Sequence, residues 1–292
     1  MEEVLNEQIN VQKKPKKTFT ILGISIWRII AFFIIYSVAG YVVEVLFSIV
    51  SKGTLESRQS FMYGPFSGIY GLGAVVMILF LQYFNKNNNR LFIGGFIVGS
   101  IVEYLVSLFA EVFLHVKWWD YSNQPLNING RICVYFSIFW GFLAVYFMSY
   151  VHPKIERLME KIKQKISVKK LKIITVIITV FLVFDGLITG YALEMFLIRK
   201  VHDYNLNVAN KELIDEKYDE IYGSEVHAKV IDTFFNDRAM IKTFPNLKTI
   251  AANGDIIYFD QMVGGIEPYY YKFNFKKRQE QKEYNLRETN EV

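Results

Sequence analysis

Five apolar segments, residues 24–50, 68–84, 91–116, 132–151 and 173–198, constrain this chain more than anything else in it. Each approaches the ~20 residues a helix needs to cross a bilayer. With 52% hydrophobic residues, 21% charged and a mean hydropathy of +0.20, the chain has too little charge for an ordinary soluble protein of its length. The expected fold is an all-α membrane protein: a five-helix transmembrane bundle with a small, mostly helical C-terminal extramembrane tail. The second segment is the shortest and richest in glycine. It opens in GPFSGIYGLGA, where Pro65 with Gly64, Gly68, Gly71 and Gly73 suits a broken or re-entrant approach to the span. Irregular backbone at that depth must be packed against protein or water.

Charge sets the expected orientation. Lys13, Lys14, Lys16 and Lys17 precede the first span, and Lys86 and Arg90 lie between the second and third. Between the fourth and fifth, residues 152–172 hold eight basic residues against Glu156 and Glu160. The alternate loops hold only Lys52 and Arg58, then Lys117 and Arg131. By the positive-inside rule this is a cell-membrane protein with a cytoplasmic N-terminus and its C-terminal tail outside. The expected division is a basic N-terminal segment at 1–23, four spans within 24–151, a basic loop at 152–172, a fifth span at 173–198 and a tail at 199–292. Ser37-Val38-Ala39 resembles a signal-cleavage site, but the apolar run continues to Val50, too long for a signal h-region. Ile155, Leu158, Met159, Ile162 and Ile166 recur at helical spacing. That loop reads either as an amphipathic helix on the inner leaflet or as a solvated helical hairpin. In the tail, 211–222 and 225–242 have helical patterning, Asn253-Gly254 suggests a hairpin, and 276–292 reads as disordered or loosely helical.

Acids interrupt the apolar segments. GYVVEVLFS (40–48) and GSIVEYLVS (99–107) share Gly, Val, Glu, Leu and Ser in one register. They suggest a parallel two-helix repeat, with chance likeness in a restricted apolar alphabet as the alternative. Gly40 and Gly99 stand one turn before Glu44 and Glu103. Gly95-x-x-x-Gly99 admits a close helix neighbour, as does Gly186-x-x-x-Gly190 beside Asp185. An ionised carboxylate at mid-membrane costs ~2.5–3.5 kcal/mol on the insertion scale unless paired, protonated or wet. Glu44, Glu103, Glu111 and Asp185 are therefore either locks on helix register or the lining of a path for a cation or polar solute. The outer loops add Arg58, Tyr63, Asp120, Asn129 and Arg131 as a candidate gate, with Arg131 placed to meet Asp120 or Glu111. Their Asp and Asn side chains also suit ordinary Asx turns.

Several chemistries have no support. The chain has no G-x-x-x-x-G-K-[ST] phosphate loop, no G-x-S-x-G elbow and no H-E-x-x-H helix. One cysteine and four histidines show no zinc-ligand spacing. No cofactor, metal site or nucleic-acid partner is expected, and no catalytic residue is assigned.

Glu44, R-x-x-F-x-Y-G-P-F-x-x-I-Y-G-x-G-A (58–74), Glu103, Glu111, W-D-Y-S-x-x-P-x-N-I-N-G-R-I-C (119–133), W-G (140–141) and H-P (152–153) together resemble a bacterial multi-pass family labelled ABC-transporter type IV permeases. The resemblance spans 37–153. The chain departs from it at 58–61, where Arg-Gly-Phe-Leu is usual, and at 67–68, where Cys-Pro is common. The resemblance implies a membrane protein and, through its label, a permease subunit served by a separate ATPase. Five spans are few, so a homodimer or another partner would complete the path amid membrane lipids. A membrane scaffold or sensor with an external tail, or a lipid-directed membrane enzyme, are the alternatives.

Overall fold

A computed structural model describes residues 18–113 and 119–273. The lysines at 13–17, Lys117 and the charged stretch 276–292 lie outside the described residues. Short strands β1 (Thr20–Ile21) and β2 (Ile24–Ser25) pair ahead of α1 (Ile26–Lys52). Then follow β3 (Thr54–Glu56), α2 (Gly68–Leu81), α3 (Asn88–Phe113) and α4 (Val134–Tyr146). A π-turn at Phe147–Val151 leads into α5 (His152–Lys165), and after it comes α6 (Val168–Asp203).

Among the described residues, four helical runs are long and apolar enough to cross a membrane: α1, α3, α4 continued through α5, and α6. The fifth expected span is shorter. Segment 68–84 forms only the 14-residue α2, about 21 Å at 1.5 Å per residue, against a hydrocarbon core of about 30 Å. Irregular backbone at 57–67 precedes it. Residues 152–165 form the helix that the spacing of Ile155, Leu158, Met159 and Ile162 indicates, and it runs on directly from span four instead of standing apart in a connecting loop. Pro153 cannot donate the helical bond and would crowd the preceding turn; the π-turn directly ahead of it widens the helix there. Ile155 and Met159 turn back onto the bundle core of Phe32, Tyr36, Ile78, Leu81 and Phe147.

Ends are fixed by local chemistry. Gly53, at φ 67°, terminates α1 in the left-handed conformation that glycine adopts without penalty. Ser167 caps α6 by accepting from the Lys170 amide. At one end of the bundle, Gln82 donates to Leu22 O at 3.0 Å, Arg28 pairs with Glu156, and Lys172 lies over the Trp27 ring. Tyr36 Oη and His152 Nδ1, 3.0 Å apart, tie α1 to α5 beside them. At the opposite end Phe273 N donates to Gly53 O at 2.7 Å and Lys52 to Asn246 at 3.0 Å. Thus α1, α3 and α6 run one way, and α2 and α4 return.

The tail is docked rather than separate. It comprises α7 (Lys211–Tyr222), α8 (Glu225–Phe234), α9 (Asp237–Thr243), the hairpin β4–β5 (Lys248–Ile250, Ile256–Tyr258), α10 (Phe259–Met262) and β6 (Tyr269–Lys272). β6 pairs antiparallel with β3, next to α1. The single helix expected over 225–242 is two, because Asn236 caps α9 by accepting from Ala239 N at 3.0 Å. Asn253-Gly254 turns the hairpin, with Gly254 at φ 90°. Phe196 and Ala192 on α6 join Phe235, Met240, Ile241 and Phe259 in one core, and Met62 from the 57–67 segment enters it.

Candidate functional site

The intramembrane acids occupy three different settings. Asp185, 1% exposed, is the acceptor for the irregular 57–67 segment: Tyr63 N donates to its two oxygens at 3.1 and 3.2 Å. One turn on, Thr189 Oγ1 accepts from Met62 N at 2.7 Å and donates to Asp185 O at 2.7 Å. Ser67 N donates to Ser37 O on α1 and Gly68 N to Ser60 Oγ. Backbone outside regular structure needs partners for its N–H groups, and these side chains and the Ser37 carbonyl supply them. Gly64, at φ 77°, turns the chain between Tyr63 and Pro65. It serves a turn, not helix packing. The Gly186/Gly190 pair does not bring a second helix close either. A Cβ on Gly190 would meet nothing within 4 Å, and one on Gly186 only the Phe61 ring at 3.5 Å. Gly68, first in α2, lies under that same Phe61 ring rather than under a neighbouring helix.

Glu44 and Glu103 sit in a second, shared arrangement. A Cβ on Gly40 would collide with the Tyr70 side chain, and Tyr70 Oη donates to Glu44 at 2.5 Å. A Cβ on Gly99 would collide with the Trp140 side chain, and Trp140 Nε1 donates to Glu103 at 3.0 Å. The step along the chain that carries Gly40 to Gly99 also carries Phe33 to Phe92. The step that carries Tyr70 to Trp140 also carries Gly71 to Gly141 and Ala74 to Ala144. Gly71 packs against Phe33 and Gly141 against the Phe92 ring. In both hairpins a glycine one turn before the acid lets a large aromatic side chain approach, and that side chain donates to the carboxylate. Glu103 is the more enclosed, 6% exposed, and also accepts from Tyr121 Oη at 3.0 Å. Burial, then the Glu103 charge and hydrogen bond, push the Tyr121 phenol above its ordinary range, which keeps it a donor. Its ring stacks on Phe136, centroids 4.4 Å apart, which fixes its direction.

The third setting is closed by cations. Arg131 pairs with Glu111 at 2.6 Å and lies over the Tyr104 ring, and Trp119 Nε1 donates to Arg131 O at 2.9 Å. Arg58 turns to Glu56, at 2.5 Å, which also meets Lys52 at 3.3 Å. Asp120 accepts from Ser122 N and Oγ, an Asx turn, and Asn129 donates to Tyr104 Oη at 3.0 Å. The proposed gate residues therefore divide: Arg58 and Tyr63 belong to the first hairpin's loop, Asp120, Asn129 and Arg131 to the second's. No group of three His, Cys, Asp or Glu residues suited to a metal occurs among the described residues.

The sequence singles out Glu44 and Glu103 as acids in apolar segments but not their donors, Tyr70, Trp140 and Tyr121. The signal available was the pair of aromatic–glycine steps at 70–71 and 140–141, each on the helix returning past an acid. Nor does the sequence single out Arg199 and Lys200, buried near the end of α6 and held by Asp237.

A family model described as "Putative ABC-transporter type IV" matches residues 31–190, more than half of the chain. That stretch contains both glycine–glutamate hairpins and Asp185. No curated protein and no solved structure gives a significant match.

Proposed function

The chain belongs to the family described as "Putative ABC-transporter type IV", and from that premise we propose that it is a membrane-embedded transporter subunit passing a cation or small polar solute, with Glu103 as the group that receives it. One observation carries this reading. Glu103 is buried in a membrane helix, and among the described residues its partners are neutral donors, the Trp140 indole and the Tyr121 hydroxyl, with no basic side chain. A register lock is served by an arginine, as Glu111 is. A carboxylate oriented by neutral donors keeps its charge free to bind a moving cation. Glu44, with its single tyrosine donor, is the matching group of the other hairpin. We read the two hairpins as copies of one unit, supported by their equivalent glycine, acid and aromatic contacts.

In this reading the Arg28–Glu156 end faces the cytoplasm, where the basic residues of 152–172 concentrate, and the docked tail lies outside. Glu111–Arg131 and Glu56–Arg58 close the outer mouths of the two hairpins, and Asp185 holds the irregular loop that completes the short α2. A separate ATPase subunit supplies the energy, and a second copy of the chain completes the path.

The test is flux. Membrane vesicles carrying the chain or its Glu103→Gln variant, matched for folded protein, are compared for uptake of protons, monovalent and divalent cations. Gln keeps the shape and one acceptor but removes the charge, and a charged hydrogen bond is worth ~1.5–3 kcal/mol. The expected loss is therefore roughly tenfold to a hundredfold in whichever flux the wild type supports. Equal flux in the two would remove Glu103 from the path.

A further inference from the structure

We propose that Trp27, Lys169 and Lys172 form a binding site for an anionic phospholipid, where α1 and α6 begin. The inference is independent of the transport reading. A groove of about 340 Å³ lies there, lined by Trp27, Lys169 and Lys172 at one level and by Ile173, Val176 and Ile177 at the next. The three aliphatic side chains are 50%, 44% and 62% exposed, an open apolar floor along the membrane-facing surface of α6. Both lysines are exposed, and among the described residues no carboxylate lines the groove. Lys172 Nζ stands 5.1 Å from the Trp27 ring centroid, which holds its charge toward the rim.

The order of these groups matches the cross-section of one lipid molecule. An interfacial tryptophan and two ammonium groups sit at headgroup level, and a β-branched apolar strip runs from them toward the bilayer interior. Two cations without an acid suit a phosphodiester whose headgroup carries no positive charge of its own. A zwitterionic headgroup would set its own cation against them.

Quenching of Trp27 by brominated lipids reads the site directly. Full-length protein is reconstituted into vesicles in which brominated phosphatidylglycerol or brominated phosphatidylcholine replaces the unlabelled lipid, and the Trp27 signal is the difference from Trp27→Phe. Two lysines near a surface, at about 1 kcal/mol each, lead to an expected preference for the anionic quencher of roughly thirty-fold. The Lys169→Gln/Lys172→Gln protein should fall to near parity, and Lys169→Arg/Lys172→Arg should retain the preference. Equal quenching by the two lipids in the wild type overturns the proposal, as does a preference that survives the double glutamine change. Relief of anionic-lipid quenching by inorganic phosphate, at ionic strength matched with chloride, would assign the lysines to a soluble anion and overturn it equally.

Discussion

Replacing Asp237 by alanine is expected to accelerate amide exchange in α9 on the order of a hundredfold. The reason lies in the end of α6, where Arg199 and Lys200 are buried although the chain has just left its apolar run; Lys200 has only 4% of its side chain exposed. Asp237 serves both, with Arg199 Nη2 at 2.6 Å and Lys200 Nζ at 2.9 Å. Breaking a buried pair from one side leaves an uncompensated charge and costs ~3–5 kcal/mol. Here the lower figure applies, because Asp203 still meets Lys200 at 2.8 Å and Phe235 O still accepts from Arg199. About 3 kcal/mol in local opening corresponds to the exchange factor stated. The pH dependence has a definite sign. Burial acts to raise the Asp237 carboxyl, but the Lys200 hydrogen bond and the Arg199 and Lys200 charges outweigh it and hold it below the usual carboxylate range. Its contribution is complete above the ordinary carboxylate value near ~4 and is lost as the pH falls through the lower folded value. Wild-type α9 should loosen over that acid range, and the alanine variant should show no corresponding step. Unchanged exchange in the variant would mean that α9 is held by the Phe235, Met240 and Ile241 contacts alone.

Gly95→Leu is expected to be the most damaging single change within the membrane. A Cβ there would collide with Ala144 Cβ, and would stand 2.7 Å from Trp140 O and 3.2 Å from Gly141 Cα. Two of these three neighbours are backbone atoms of α4, so no side chain can turn aside; the helices must separate. Overpacking costs ~1–3 kcal/mol where side chains can adjust, and more is expected here. Separation also moves the Trp140 indole away from Glu103, so one substitution should lower thermal stability in detergent and reduce function together. Gly190→Leu is the matched control, since a Cβ at Gly190 would meet nothing within 4 Å. Gly95→Leu melting with the wild type would show that α3 and α4 are not in the described contact.

Much of the local structure could be read from sequence because its causes are local. Apolar length marked the long helices and the Asn253-Gly254 step marked the hairpin, while Arg131 at the start of a span pointed to either Asp120 or Glu111, of which the structure pairs it with Glu111. What escaped reading depended on where distant segments meet. The length of α2 could not follow from hydropathy, because residues 82–84, read as the end of the span, form a turn after Leu81, and the irregular path of 57–67 before it is held by Asp185 and Thr189, more than a hundred residues later. Asp185 looked like Glu103 in sequence, an acid among aliphatics, yet its partners are backbone amides. Gly186 and Gly190 had the small-residue spacing of an interface, but spacing does not say whether a helix arrives. The burial of Arg199 and Lys200 looked like ordinary charges closing a span. Only the docking of α9 makes them interior.

The account stands on Glu103 as a charge oriented by neutral donors, with no basic side chain beside it among the described residues, and the Trp140 indole that bonds it is a built-in reporter. Cation titrations of the purified full-length protein, followed by tryptophan emission and corrected with Trp140→Phe, test this most directly. The account predicts a saturable emission change with one or more cations, absent in Glu103→Gln. An emission that ignores every cation, or responds equally in Glu103→Gln, would contradict it.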